Sequence, residues 1–97
     1  MRIMEHEVEW DDSRAEKNLR KHGVRFADAV GAFLDPHAVE FVDEEHSSDT
    51  ESRYAVIGLA APGLLYVVFT EPEPGVIRIL HARRADKQMV RIYEGED

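Results

Sequence analysis

The spacing of apolar residues changes abruptly at Asp35-Pro36, and this change constrains the fold more than any other feature of the sequence. Before it, apolar residues recur at the third, fourth, seventh and eighth positions after the first, which is the pattern of an amphipathic helix. These residues are Phe26, Ala29, Val30, Phe33 and Leu34. Pro36 ends the predicted helix, because a residue that precedes proline avoids helical geometry. We expect the apolar stripe to lie in the core.

After the proline, apolar and polar residues alternate with a period of two, which predicts strands. The predicted strands are 38–42, 53–59, 64–70 and 76–82, and an acidic loop (43–51) separates the first from the second. Segment 64–70 is apolar throughout, so we expect both of its faces to be covered. The short turns between the last three strands predict an antiparallel meander.

A first helix is predicted from about Ser13 to His22. Ser13 and Glu16 match a capping box, in which each side chain accepts a hydrogen bond from a free backbone N–H group. Gly23 follows the last helical residue and suits the left-handed conformation that ends many helices. Basic residues recur at three- and four-residue intervals along this segment, so we expect them to share one face of the helix.

Two further segments complete the architecture. Residues 6–10 alternate as a short strand, and residues 85–94 form a weakly helical end. We expect an α+β fold in one domain spanning 1–97, with an N-terminal strand and two helices packed on the antiparallel meander and a C-terminal helix after it.

The composition excludes several classes of protein. The chain has no cysteine, which excludes a disulfide framework, a thiolate zinc site and a thiol nucleophile. No apolar run approaches the roughly 20 residues of a membrane span, and the first residues lack the apolar stretch of a secretion signal. We therefore expect a cytoplasmic protein that does not bind membranes.

Charge gives a mixed signal about nucleic acids. Twenty acidic and 12 basic residues give a formal charge of −8, which argues against a general nucleic-acid binder. The basic residues are nevertheless concentrated in two blocks. They are Arg14, Lys17, Arg20, Lys21 and Arg25 in the first and Arg78, Arg83, Arg84, Lys87 and Arg91 in the second. A basic surface exists only if the two blocks meet in space.

The sequence resembles the BrnT toxin family over nearly its whole length. The opening signature of that family, W-D-x(6)-N-x-x-K-H-G-V-x-F, is matched from Trp10 to Phe26. The likeness continues through Phe33-x-Asp35, Asp43-x-x-His46-Ser47, Arg53, Gly58, Arg78-Ile79-x-x-Ala82-Arg83-Arg84-Ala85 and Tyr93. Each motif has low specificity alone, and the ordered set carries the resemblance.

The resemblance implies a RelE-like fold and the toxin half of a type II toxin–antitoxin pair. Such toxins are ribonucleases that inhibit translation. The implied partner is a BrnA-like antitoxin in an assembly of two toxins and two antitoxins, which represses the shared operon. The chain would then bind RNA directly and meet DNA only through the antitoxin.

Four positions depart from the family pattern. Arg14 replaces a frequent lysine, His81 a serine and Met89 a glutamate, and Glu71 stands in a region that is often basic. The changes at Glu71 and Met89 alter the charge near the expected site, so they bear on activity rather than on fold. An alternative is therefore a catalytically degenerate interaction module that binds its antitoxin and contributes to operon autoregulation. A third alternative, poisoning of another target such as a topoisomerase, follows from fold analogy alone.

Metal-independent RNA cleavage needs a base for the ribose 2′-OH, cations for the charged phosphorane and an acid for the leaving 5′-oxygen. Arginine binds two phosphate oxygens at once, and histidine titrates near neutrality. The candidate catalytic residues are Arg83, Arg53, His81, His22 and Lys21. The candidate RNA-binding residues are Lys17, Arg78, Arg84, Lys87 and Tyr93. Ordinary structural roles, such as surface ion pairs or packing, are the alternative for each of them.

Two histidines have further interpretations. His81 alternates with Ile77, Ile79 and Arg83, so we expect all four on one strand face, where His81 would be half-buried. His46 lies among carboxylates in the acidic loop, which invites a metal hypothesis, but its spacing matches no known metal site. We expect a solvated loop that contacts the basic part of an antitoxin, with no metal ion and no cofactor.

Overall fold

The computed structural model describes residues 1–95, which form a six-stranded sheet and four α-helices. The strands are β1 (Arg2–Ile3), β2 (His6–Trp10), β3 (Val39–Val42), β4 (Tyr54–Ala60), β5 (Gly63–Thr70) and β6 (Val76–Arg84). The helices are α1 (Asp12–His22), α2 (Phe26–Ala29), α3 (Gly31–Leu34) and α4 (Lys87–Tyr93), with a single 3₁₀ turn at Glu44–His46. None of the helices in this part of the chain has the length and apolar character to span a membrane.

The sheet has the strand order β1-β2-β6-β5-β4-β3. Strands β3 to β6 pair antiparallel, which confirms the predicted meander, and the fold is α+β as predicted. Strand β2 lies parallel to β6, with Val8 opposite Ile77 and Trp10 opposite Ile79. The N-terminal strand therefore extends the sheet beside β6, the strand that carries Arg78, Arg83 and Arg84 of the second basic block.

The main core lies between the helices α1 to α3 and one face of the sheet, which we call the inner face. Phe26, Val67, Phe69 and Ile79 are almost fully buried there. Gly58 permits the closest approach between the two layers, because a Cβ atom at this position would lie 2.4 Å from the carbonyl oxygen of Ala32. The other face of the sheet, the outer face, bears Tyr66, Val68, His81 and Arg83, and Val68 is also buried. The expectation that segment 64–70 is covered on both faces is thus confirmed.

The residue predicted to cap the first helix is wrong. Asp11 is the residue that caps α1, and its carboxylate accepts a hydrogen bond from the backbone N–H of Arg14 at 2.8 Å. Ser13 lies inside the first turn, so it does not form the expected capping box with Glu16. The end of the helix is as predicted, since Gly23 has a left-handed conformation with φ of 70°.

The single helix predicted for 26–34 is also wrong in part. Two one-turn helices, α2 and α3, replace it and are joined at Val30. Gly31 is a poor helix former, and the contact of α3 with β4 fixes the second turn separately from the first. The apolar stripe is buried at Phe26, Ala29 and Val30, but Leu34 is 50% exposed rather than part of the core.

The predicted alternation in 76–82 fails because β6 contains a bulge. Val68 pairs with His81 whereas the next residue, Phe69, pairs with Ile79, so Leu80 is an extra residue on β6. A bulge reverses the alternation beyond it. Ile77 and Ile79 therefore face the core, while His81 and Arg83 share the outer face. The expectation that all four residues share one face is wrong for the two isoleucines.

Candidate active site

Helix α1 is fixed against β6 by the buried side chain of Asn18. Its amide nitrogen donates to the carbonyl oxygens of Ala82 and Val24 at 2.8 and 3.0 Å, and its amide oxygen accepts from the N–H of Ala82 at 3.0 Å. These bonds continue the ladder of β6 beyond Ile79, where the pairing with β2 ends. Asn18 thereby sets the position of the C-terminal turn of α1 relative to the second half of β6.

This docking brings together two histidines that are distant in sequence. His22, the last residue of α1, and His81 on β6 approach with their Nε2 atoms 3.2 Å apart. The two rings meet edge to face, with their centroids separated by 4.9 Å. A hydrogen bond at this distance requires one Nε2 to carry a proton and the other to accept it.

Arg83 lies next to this pair on the outer face. Its guanidinium group stacks over the ring of Tyr66 at 5.0 Å from the centroid, and Tyr66 is its neighbour across the strands. One guanidinium nitrogen lies 3.9 Å from a carboxylate oxygen of Asp86. The side chain is 34% exposed, so it is oriented by its neighbours yet remains accessible to a ligand.

These groups line a cleft of about 530 Å³ on the outer face. Its basic and aromatic lining includes Arg14, Arg53, Tyr66, His81 and Arg83. Acidic side chains at Asp43, Glu45 and Asp86 and the polar residue Gln88 complete much of the wall. The cleft is therefore mixed in charge, with arginine, histidine and carboxylate side chains in its wall.

The histidine pair has low basicity in this environment. Burial, followed by the neighbouring His22 and the charge of Arg83, lowers the pKa of His81 to about 4. Burial, followed by the charges of Lys21 and Arg83, also lowers the pKa of His22. Both rings are consequently neutral for the most part at pH 7. Burial and the charge of Asp43 raise the pKa of Tyr66, so its hydroxyl group keeps its proton.

Part of the first basic block meets Arg83 of the second block at this place. A groove of about 160 Å³ adjoins the cleft and is lined by Arg14, Lys17 and Lys21 from α1 together with His22 and His81. Arg14 lines both the groove and the cleft, and its guanidinium group approaches the carbonyl oxygen of the bulged Leu80 at 3.5 Å. The shared face predicted for the basic residues of the first helix is thus confirmed for Arg14, Lys17 and Lys21.

Arg53 reaches the cleft from the start of β4, although its Nε atom donates to Glu51 at 3.0 Å. The structure thus brings the five candidate catalytic residues, namely Arg83, Arg53, His81, His22 and Lys21, to one continuous surface of cleft and groove.

The other candidate RNA-binding residues are spread more widely. Lys17 lies in the groove, but Arg78 pairs with Glu9 at 2.6 Å on the margin of a neighbouring depression. Arg84 donates to the carbonyl oxygen of Pro62, and Lys87 is an exposed residue outside the cleft lining. Tyr93 donates its hydroxyl proton to Asp35 at 2.6 Å, which ties α4 to the turn after α3.

Sequence reasoning missed four contributors to the cleft. Tyr66 carried no signal, because one aromatic residue in an apolar strand resembles a core residue. Arg14 was recognisable only by its spacing from Lys17 and Lys21 along the helix. His46 and its partner Asp43 belong to the acidic loop, where the sequence indicated solvent exposure rather than a place in the wall of the cleft.

Two departures from the family pattern have different positions in the structure. Met89 lines the cleft through α4. Glu71 lies in a separate depression near Arg78, and its charge contributes to the raised pKa of Glu40 rather than facing the histidine pair. Among residues 1–95, no three histidine or carboxylate side chains lie close enough together to hold a metal ion.

Fold and site together define a small α+β protein with a cleft of mixed charge that is lined by arginine, histidine and carboxylate side chains. The chain belongs to the family described as "Ribonuclease toxin, BrnT, of type II toxin-antitoxin system", whose profile matches residues 10–88. It is therefore a ribonuclease toxin of this class, which implies an antitoxin as its partner.

A solved structure supports the assignment of the fold. The chain is similar to the 1.1 Å crystal structure of the Brucella abortus ribonuclease toxin, BrnT, with a TM-score of 0.65 and 24% sequence identity. The match covers 84% of this chain and 99% of the Brucella chain. A search among curated proteins found no match.

Proposed function

We propose that residues 1–97 form a single toxin domain that cleaves RNA without a metal ion and thereby inhibits translation. The reaction is attack of a ribose 2′-oxygen on the adjacent phosphorus, with departure of the 5′-oxygen. The products are a 2′,3′-cyclic phosphate and a 5′-hydroxyl group. The observation that carries this proposal is the contact of His22 with His81 beside Arg83, at the junction of the two basic blocks.

The histidine pair supplies the base. When both rings are neutral, the ring that donates its Nε2 proton keeps an unprotonated Nδ1 atom. That atom accepts the proton of the 2′-hydroxyl group as the 2′-oxygen attacks. The lowered pKa values of His22 and His81 keep the lone pair available at neutral pH. The negative charge of the bound phosphodiester strengthens the base, because an adjacent anion favours a protonated imidazole.

Arg83 stabilises the charged phosphorane. Its guanidinium group binds two phosphate oxygens in one plane, and the ring of Tyr66 fixes that plane. Arg53 and Arg14, which also line the cleft, add further positive charge. Lys17 and Lys21 bind neighbouring phosphates along the groove, which gives the RNA strand a path past the histidine pair.

The proposed partner is a BrnA-like antitoxin in an assembly of two toxins and two antitoxins, located in the cytoplasm. The antitoxin would carry the contact with operator DNA. Outside the basic surface this chain is dominated by its 20 acidic residues, and such a surface repels duplex DNA. The resemblance to the BrnT family supports the identity of the partner.

A catalytically degenerate interaction module is the second candidate function. The acidic wall of the cleft favours it, since Asp43, Glu45 and Asp86 repel a phosphate that approaches Arg83. In this alternative the cleft receives a basic segment of the antitoxin, and the toxin contributes only to operon repression.

The decisive experiment compares the wild-type chain with Arg83→Ala, each expressed in bacteria without antitoxin. We expect growth arrest and new RNA 5′-hydroxyl ends from the wild type. With purified protein, Arg83→Ala should lower the cleavage rate about 10²- to 10³-fold, as the loss of one transition-state donor does in other enzymes.

Arg20→Ala is the matched control, because Arg20 belongs to the same basic blocks but forms an exposed pair with Glu16 away from the cleft. Its activity should equal that of the wild type. Normal growth and intact RNA with folded wild-type protein would overturn the ribonuclease proposal and leave the interaction module.

A further inference from the structure

The acidic loop places a second histidine in the wall of the cleft. The Nδ1 atom of His46 lies 2.8 Å from a carboxylate oxygen of Asp43. The Asp43 side chain is only 8% exposed, whereas that of His46 is 57% exposed. Because Asp43 accepts the Nδ1 proton, the Nε2 atom of His46 is the one available to a ligand.

The loop holds this pair in place through its own hydrogen bonds. The hydroxyl oxygen of Ser47 accepts from the N–H of Arg53 at 2.9 Å and donates to the carbonyl oxygen of Asp43 at 2.7 Å. The backbone N–H of Asp43 in turn donates to the carbonyl oxygen of Arg53 at 2.8 Å. These bonds fix the start of the loop against β4, so the direction of the His46 ring is set by structure rather than by solvent.

His46 faces the same space as the histidine pair. Both His46 and His81 line the cleft, together with Tyr66 and Arg83. A protonated imidazole at position 46 and a neutral one at position 81 would flank the same phosphate. Asp43 orients that ring, because its carboxylate accepts the Nδ1 proton at 2.8 Å and leaves Nε2 free to face a ligand.

We propose that His46 is the general acid of the cleavage reaction and that Asp43 is its positioning residue. This inference rests on the proposed function and assigns the role that the His22–His81 pair leaves open. The pair takes the proton of the 2′-hydroxyl group as the 2′-oxygen bonds to phosphorus. The Nε2–H of His46 gives its proton to the 5′-oxygen as the phosphorus–oxygen bond breaks, so the enzyme ends with one proton moved from His46 to the pair.

The test uses an RNA oligonucleotide with a single mapped cleavage position. It is prepared with either oxygen or sulfur as the 5′ leaving atom, because a thiolate leaves without protonation. His46→Ala should slow cleavage of the oxygen substrate about 10²- to 10³-fold, within the range of general acid catalysis. The same variant should cleave the sulfur substrate within about threefold of the wild-type rate, whereas His81→Ala should slow both substrates.

Asp43→Asn should lower cleavage of the oxygen substrate about tenfold, as the loss of an orienting partner does in comparable sites, with recovery on the sulfur substrate. His46→Gln serves as a second variant if alanine disturbs the loop. The exposed His37, which lies outside the cleft, gives the control His37→Ala with wild-type rates on both substrates.

The outcomes separate this inference from the proposed function. If the wild type cleaves neither substrate, the ribonuclease proposal itself fails. If the wild type cleaves both but His46→Ala slows them equally, or slows neither, then His46 does not protonate the leaving group and the inference is overturned.

Discussion

The contact between His22 and His81 places two ionisable rings where neither is readily protonated. Burial opposes the charged form of each ring, and the cations that attract RNA to the site oppose it further. In the proposed mechanism, the site therefore keeps its base neutral until the substrate arrives. Phosphate binding would cancel part of the positive field, so the base would become stronger once a ribose hydroxyl group is present.

Titration of the histidine rings tests this coupling. In the wild type the ring protons of His81 should titrate with a midpoint of about 4, and those of His22 below 6.5. Arg83→Ala should raise both midpoints, because the charge of Arg83 contributes to lowering both pKa values. The measurement is the proton chemical shift of each ring by NMR as a function of pH.

Arg20→Ala should leave the midpoints of His22 and His81 unchanged.

The lowered pKa of His81 also predicts a loss of stability in acid. The unfolded chain takes up a proton at His81 near pH 6.5 but the folded chain only near pH 4, so the free energy of unfolding falls as the pH drops through this interval. A midpoint of His81 near 6.5 would show that burial and the neighbouring Arg83 do not lower the pKa of His81, and it would contradict this coupling.

The bulge in β6 is the element on which the site depends. Without it, His81 would face the core with Ile77 and Ile79. The extra residue, Leu80, turns His81 and Arg83 outward while Ala82 returns to the inner face. Bulges occur often beside active sites for this reason. Beyond the bulge β2 no longer pairs with β6, and the side chain of Asn18 forms the hydrogen bonds with Ala82 that a neighbouring strand would form. These bonds hold α1 beside β6.

Asn18→Ala should be strongly destabilising for its size. The substitution leaves the buried N–H and C=O groups of Ala82 and the carbonyl of Val24 without their side-chain partner. We expect a loss of about 3 kcal/mol in the free energy of unfolding, the low end of the sum of roughly 1–3 kcal/mol for each of the three buried polar groups left unpaired. In a domain of this size the loss lowers Tm by roughly 10–20 °C, which thermal unfolding followed by circular dichroism would detect.

The exposed Arg20→Ala variant on the same helix should change stability by less than about 0.5 kcal/mol. A loss of that small size in Asn18→Ala would contradict the view that Asn18 joins α1 to the sheet.

Local patterns in the sequence predicted most elements but not the relations between them. The alternation and turn residues gave β3 to β6 to within about two residues, and the fold class with them. The capping residue was misassigned, since Asp11, Asp12 and Ser13 are all suitable caps and tertiary packing selects one. The parallel pairing of β2 with β6 and the bulge depend on contacts between distant segments. The periodicity within a single segment carries no information about such long-range contacts.

For the candidate site too, local patterns suggested individual residues but not the contacts between distant segments. Residue chemistry identified the arginines and His81, and the resemblance identified Lys21 and His22. The contribution of His46 depends on how the acidic loop folds back on β4, through Ser47 and Arg53. Hydrogen bonds between a loop and a strand leave no pattern in the spacing of residue types, so the sequence indicated only solvation.

At the scale of the whole molecule, a local cluster of basic side chains, bordered by Asp43, Glu45 and Asp86, contrasts with an overall negative charge. A net charge of −8 repels nucleic acid at long range, but the repulsion is screened beyond a Debye length of about 8 Å at physiological salt. Within that distance, the cleft and groove present Arg14, Lys17, Lys21 and Arg83 together. The arrangement predicts a toxin that binds RNA only over this surface and depends strongly on salt.

Salt dependence tests this picture with an uncleavable 2′-O-methyl RNA oligonucleotide, whose binding is followed by fluorescence anisotropy. Four phosphate contacts by Arg14, Lys17, Lys21 and Arg83 give an expected slope of roughly −3 for log K against log salt concentration, at about 0.7 per contact for a single strand. The double variant Lys17→Ala/Lys21→Ala should reduce the slope to roughly −1.4, since it removes two of the four contacts.

Each possible result of the salt experiment distinguishes a different arrangement. An unchanged slope in the double variant would place the RNA away from the groove and contradict the strand path along α1. Absence of saturable binding by the wild type, even at low salt, would favour the interaction module, because an antitoxin contact needs no affinity for phosphate. The predicted reduction would show that the lysines of α1 bind the RNA backbone despite the overall negative charge, since only a local contact releases counterions from the RNA.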